Sequence, residues 1–117
     1  MTEEEKAKAV SLIQRWQKEF PKAFPEKPAP KVPLKIGIGK EPDWLFYLSV
    51  AHGYAPEDIQ NALYLWCRGK RYWQSFKTNT FRYNASGYPF SLVTDKDRAY
   101  AQYQLRKWKR KDGGSNG

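Results

Sequence analysis

The sequence predicts an α+β domain, mostly helical, with one small β-hairpin. Three observations carry this reading. Three stretches repeat their apolar residues at helical spacing. Residues 21–42 hold six of the eight prolines, so an extended connection divides the helices. The run "TFRYNASGYPFSLV" places an Asn-Ala-Ser-Gly turn between two segments of strand-forming residues.

The elements follow in order. Residues 3–20 form a first helix. Thr2 caps it, Glu5 completes a capping box, and Glu3 and Glu4 suit the positive end of the dipole. Val10, Ile13, Trp16 or Gln17, and Phe20 make its apolar stripe, and Pro21 stops it. A short turn over Lys22 to Phe24 precedes the proline connection. Leu34, Ile36 and Ile38 alternate, which predicts an extended segment; Gly37 and Gly39 permit unusual dihedrals there. A second helix over 42–52 buries Trp44, Leu45, Leu48 and Ala51 and ends at Gly53. A third opens at Pro56 and buries Ile59, Ala62, Leu63, Trp66 and Cys67. Gln60, Tyr64 and Arg68 form a separate stripe along it. After Gly69 a short helical piece covers 70–76. The hairpin puts Phe81 and Tyr83 on one side and Arg82 on the other. Thr94 and Asp97 start a last helix that runs from Asp95 to about Arg110. Residues 1–8 are read as the start of the N-terminal helix, 9–110 as the domain and 111–117 as an unstructured tail.

Composition bounds the function. The chain has 117 residues, enough for one domain with a core. Aromatic residues make up 16%, with five Trp and eight Tyr, so the chain folds despite a mean hydropathy of −0.86. One Cys excludes an intramolecular disulfide, and one Cys with one His excludes the usual zinc sites. No apolar run approaches the roughly 20 residues of a membrane span. The acidic, polar start is unlike a secretory signal, so a cytoplasmic location is expected. The formal charge of +9 points to a polyanionic partner.

That charge is concentrated. From Ile59 to Thr94 there is no Asp or Glu, while Arg68, Lys70, Arg71, Lys77 and Arg82 all fall within the span. In "WCRGKRYWQSFK" four cations alternate with four large rings. Rings can be core, with the cations reaching past them to water; Trp66 and Phe81 are read this way. Tyr72, directly after two cations at a helix end, can instead face solvent. Cations with exposed rings suit single-stranded or partly structured nucleic acid, RNA or DNA alike, where they neutralise phosphates and stack on unpaired bases. Arg106, Lys107, Lys109, Arg110 and Lys111 add an auxiliary basic helix end. His52 reads as a surface histidine. Asp43, Glu57, Asp58, Asp95 and Asp97 sit in helix first turns, where capping and dipole roles explain them. No acid–base or nucleophilic constellation is present, so no enzyme activity, cofactor, metal or small-molecule substrate is expected. A protein-interaction module using the basic aromatic surface is the rival reading.

Several separated motifs resemble the ProQ/FinO family of bacterial RNA chaperones over about residues 9–108. "PLKIGI" (Pro33 to Ile38) is the most specific, with "FPKAF" before it, "ALYLWCRGKRY" (Ala62 to Tyr72) and "TFRYNASGYP" after it. The resemblance implies a mostly helical domain with a concave basic face. It implies binding to structured RNA, especially a terminator-like hairpin with a U-rich 3′ single-stranded end. It implies that small regulatory RNAs and mRNA 3′ regions are the partners, which are stabilised and helped to pair, and a single-domain, monomeric protein is expected. By position, Lys35, Arg71, Tyr72 and Arg82 line the site. Gln60, Tyr64, Arg68 and Lys70 extend it, and Arg106 and Lys107 assist. Two departures stand out. The third-helix stripe carries Pro56, Gln60 and Tyr64 where strongly basic members carry cations. Its start reads Ala55-Pro56-Glu57-Asp58 where the family offers Ser or Thr to the RNA 3′ end.

Overall fold

The computed structural model describes the backbone of residues 1–116 and the side chains of residues 1–109. α1 (Glu3–Glu19) opens on the expected capping box: Thr2 Oγ1 accepts the Glu5 N–H and Glu5 Oε1 accepts the Thr2 N–H. Its buried stripe is Ala9, Leu12 and Trp16, while Val10, expected inside, is 42% exposed. The indole sets this phase. Burying a Trp removes far more apolar surface than burying a Val, so the residues four and seven positions before it turn inward with it.

After Pro21 the chain makes a single turn that drops Ala23 and Phe24 into the core. The predicted extended segment shrinks to Leu34, which forms an isolated parallel bridge with Tyr83. Gly37 then adopts φ +77°, and residues Ile38–Lys40 close a 3₁₀ turn. Leu34 and Ile38 are therefore buried and Ile36 is 74% exposed, against the expected alternation of all three. α2 (Pro42–Phe46) continues as a π-helical turn, Tyr47–Ala51. The wider turn adds a residue per repeat and rotates Ala51 outward, so of the predicted inward set Trp44 and Leu48 are buried and Leu45 half-buried.

α3 (Pro56–Cys67) buries Ile59, Ala62, Leu63 and Trp66 as its spacing requires, with Cys67 half-buried. α4 (Lys70–Thr78) buries Tyr72, Ser75 and Phe76. β1 (Phe81–Tyr83) and β2 (Pro89–Leu92) pair antiparallel around the Asn84–Gly87 turn, with a bulge between Arg82 and Tyr83. Gly87 has φ +85°, and a Cβ there would meet Lys22 Cβ at 2.3 Å. The expected alternation fails at the bulge: Arg82 and Tyr83 are both half-buried, and Phe81, expected in the core, is 37% exposed. α5 (Asp95–Asn116) starts on a second capping box between Thr94 and Asp97 and passes the end expected near Arg110. The unstructured tail expected over 111–117 lies outside the fully described residues.

The core is organised around rings. Trp16 lies 4.9 Å from both Phe24 and Trp44, and Phe24 lies 5.3 Å from Trp66. α1 packs on α3 across this cluster, and α5 packs on α4 beside it. The Tyr72 hydroxyl joins the two halves by accepting the Leu34 N–H at 3.1 Å. A Tyr72→Phe variant leaves that buried N–H without a partner, and urea denaturation is expected to show a loss of about 1–3 kcal/mol.

Candidate nucleic-acid interface

Two of the residues named from sequence, Tyr72 and Arg82, converge on Leu34, and a third, Lys35, follows it in the chain. Tyr72 holds the Leu34 N–H, and Arg82 Nη1 donates to its carbonyl at 2.8 Å. The adjoining backbone completes a short ladder, with Lys35 N–H to Tyr83 O and Tyr83 N–H to Pro33 O. Arg82 also donates from Nε and pairs through Nη2 with Asp97 at 3.1 Å, and its guanidinium lies over the Phe76 ring. Lys35 pairs with Glu41 and lies over Phe90.

These placements change the roles expected from sequence. Tyr72 is only 4% exposed, so its ring offers no face to a base; burial, then the neighbouring Cys67, raises its pKa. The ring size that made it attractive as a stacking platform is what draws it into the core. Arg82 and Lys35 each carry a carboxylate partner, which cancels most of their pull on a phosphate.

An accessible charge and ring lie along α3 and at its C-cap. Gln60, Tyr64 and Arg68 are all exposed along one stripe, as their spacing requires. Tyr64 is 59% exposed, and the Arg68 guanidinium sits 5.7 Å from its ring centroid. The open phenol expected at Tyr72 is found here. Gln60 is partly committed, donating to Gly39 O at 3.3 Å.

Lys31 joins this surface without any motif to mark it. Its ammonium lies 4.0 Å from the centre of the Trp66 ring and donates to Trp66 O at 2.9 Å. Arg71 lies close by and donates to Ala29 O at 2.6 Å. Burial, then the Arg71 charge, pushes Lys31 down to about 8. The only sequence signal for Lys31 was a lysine in a proline run, which reads as linker. Burial pushes the Cys67 thiol up to about 11, so it is a poor nucleophile.

Lys70 is exposed at the start of α4. α5 reaches the same end of the molecule, where Trp108 Nε1 donates to Arg68 O at 3.4 Å. Arg106 and Lys107 are both exposed, but successive helix positions point about 100° apart, so they do not share a face. Arg110 and Lys111 lie outside the described side chains.

Other parts of the surface suit a phosphate poorly. At the start of α3, Ala55 supplies no side-chain cap, Pro56 has no N–H, and the Asp58 N–H turns back to Ala55 O. Glu57 and Asp58 add two carboxylates. A cleft of about 390 Å³ between α1, α2 and the hairpin turn carries Glu19, Glu41 and Asp43. Beside it Arg15 donates to His52, the half-buried histidine expected at the surface.

The model of the ProQ/FINO family matches residues 6–116 of this chain. The chain belongs to the ProQ/FinO family. Its fold agrees with that of a FinO-like RNA chaperone from Neisseria meningitidis MC58, with a TM-score of 0.66, 18% identity, and 97% of this chain and 86% of that one covered. A ProQ homologue from Legionella pneumophila, solved in solution, gives a TM-score of 0.66 at 26% identity over 85% of this chain and 81% of that one. No curated protein sequence matches the chain significantly.

Within this ProQ/FinO domain, "PLKIGI" and the hairpin arginine build one interlocked unit. The Arg82 guanidinium holds the Asp97 carboxyl below its ordinary 3.8, aided by the Thr94 N–H. A depressed carboxyl stabilises the fold above its unfolded pKa and loses that contribution as pH falls through the folded one. Arg82→Met is therefore expected to lower the melting temperature at neutral pH. It should also flatten the decline on acidification below about pH 4, which melts across the acid range would read.

Proposed function

We propose that this protein is an RNA chaperone that holds structured RNA through the exposed stripe of α3 and the cations at its C-terminal end. Membership of the ProQ/FinO family and likeness to the Neisseria chaperone support the class of partner. The observation that carries the site is the open Tyr64 ring beside Arg68, within the run without acids.

The mechanism is binding without bond-making. Arg68, Lys70, Arg71 and Lys31 draw in phosphates and release counterions. Tyr64 stacks on a base or ribose at an unpaired end. Gln60 and Asn61 add uncharged hydrogen bonds. The ligand is a hairpin with a U-rich 3′ single-stranded end, as in small regulatory RNAs and mRNA 3′ regions. Holding that end shields it from exonucleases and presents the RNA for pairing. With Glu57 and Asp58 at the start of α3, the grip shifts toward the helix's C-terminal half. No helix among the described residues is long and apolar enough to cross a membrane. We place the protein, as a monomer, in the cytoplasm.

Titration with such a hairpin at low salt tests this reading. Tyr64→Ala and Arg68→Ala are each expected to weaken binding on the order of tenfold. Unchanged affinity in both variants would remove the α3 stripe from the site. About five to seven phosphate contacts set a log–log salt slope of roughly −4 to −6, and a flat response would reject the electrostatic mechanism.

A second prediction concerns pH. A phosphate favours the charged form of Lys31, whose pKa lies at about 8. Affinity should then be full below that value and fall as pH rises through it. Lys31→Met should remove this dependence, read by titrating both proteins across the range.

A further inference from the structure

We propose that the outer face of α5 is a second tract for unpaired polynucleotide, built by Lys96, Tyr100, Tyr103 and Lys107. The inference rests on the RNA-chaperone reading and extends it to a part of the molecule away from the α3 stripe. Spacings of four, three and four residues put these side chains on one line of the helix. The opposite side carries the packing, with Ala101 buried and Arg98, Leu105 and Trp108 half-buried. Tyr100 is 53% and Tyr103 43% exposed, and both lysines are exposed. Two large rings left half open on one line of a surface helix leave much of their apolar area unused within the fold.

The rings are nonetheless held. Trp73 meets Tyr100 edge-on at 5.4 Å, Tyr100 and Tyr103 lie 6.3 Å apart at 33°, and the Lys107 ammonium sits 4.9 Å from the Tyr103 ring centroid. A braced ring loses little freedom when a base stacks on it, so binding costs less entropy. The electrostatics favour the same occupant. No Asp or Glu occurs from Arg98 to Lys111. Asp97 in the first turn is taken by Arg82, and Asp95 faces Arg98 at 4.0 Å. Flat, open rings bracketed by ammonium groups match alternating bases and phosphates better than they match an acidic peptide, which has charge but no faces to stack.

Both sites approach the same end of the molecule. Trp108, on the packing side of α5, donates to Arg68 O, so the C-terminal end of the tract and the end of the α3 stripe lie at that end. A strand leaving Arg68 has to pass round α5 to reach Lys107, and then runs along Tyr103, Tyr100 and Lys96. The line is roughly 16 Å long, enough for a few nucleotides.

The test compares a hairpin with a short U-rich tail and the same hairpin with about eight more unpaired nucleotides, a length sufficient to cover the tract. The wild-type protein should bind the longer RNA on the order of tenfold more tightly. Tyr100→Ser/Tyr103→Ser should lose that gain while keeping wild-type affinity for the short-tailed RNA. Tyr100→Phe/Tyr103→Phe, which preserves the rings, should keep the gain. Absence of the gain in the wild type, or its survival in the serine variant, would overturn the proposal. So would a poly-glutamate peptide that needs both tyrosines in the absence of any tail effect, since that assigns the face to an acidic protein. If the short-tailed RNA fails to bind the wild type, the chaperone reading falls and takes this tract with it.

Discussion

The backbone of one residue ties this fold together. Leu34 is buried, and both its polar groups are satisfied by side chains from distant elements: its N–H by the Tyr72 hydroxyl of α4, its carbonyl by Arg82 of β1. A buried peptide group without partners is costly, so the site demands these two side chains in these places. Arg82 in turn brings in Asp97, which also closes the capping box of α5. The proline connection, the hairpin and the first turns of α4 and α5 are thereby fixed against one another by a small set of hydrogen bonds.

This arrangement divides the cations into two populations. Lys35 and Arg82 have been drawn into the scaffold, each against a carboxylate. Arg68, Lys70, Lys96 and Lys107 are exposed, and Lys31 and Arg71 are half-buried beside the α3 C-terminus. The aromatic rings divide likewise. Trp16, Phe24, Trp44, Trp66 and Tyr72 build the interior, while Tyr64, Tyr100 and Tyr103 remain open.

Much of this was legible beforehand. The capping boxes of α1 and α5, the proline-led start of α3, its buried face and the hairpin turn all follow from local chemistry that needs nothing from the rest of the chain. The stripe Gln60–Tyr64–Arg68 was equally plain, since spacing alone puts residues on one side of a helix. The failures share a cause. Pattern alone puts Val10, Ile36, Ala51 and Phe81 inside. Trp16 sets the phase against Val10, the turns after Gly37 and at Tyr47–Ala51 rotate Ile36 and Ala51 out, and Arg82 turns in toward Leu34 O and Asp97 beside the exposed Phe81. Lys31 escaped notice because its partner, the Trp66 ring, lies 35 positions further along the chain.

The sequence by itself determined the helices, the hairpin, the basic balance and the acid-free span, because capping, periodicity and charge are properties of neighbours in the chain. Only the tertiary structure decided which cations are spent on the fold and which phenol is open. Those outcomes depend on contacts between residues far apart in sequence. For a ring or a guanidinium, the free energy of burial turns on what the opposing surface provides. Tyr72 found a buried N–H to satisfy and went inside; Tyr64, eight residues earlier on the far side of α3, faces solvent.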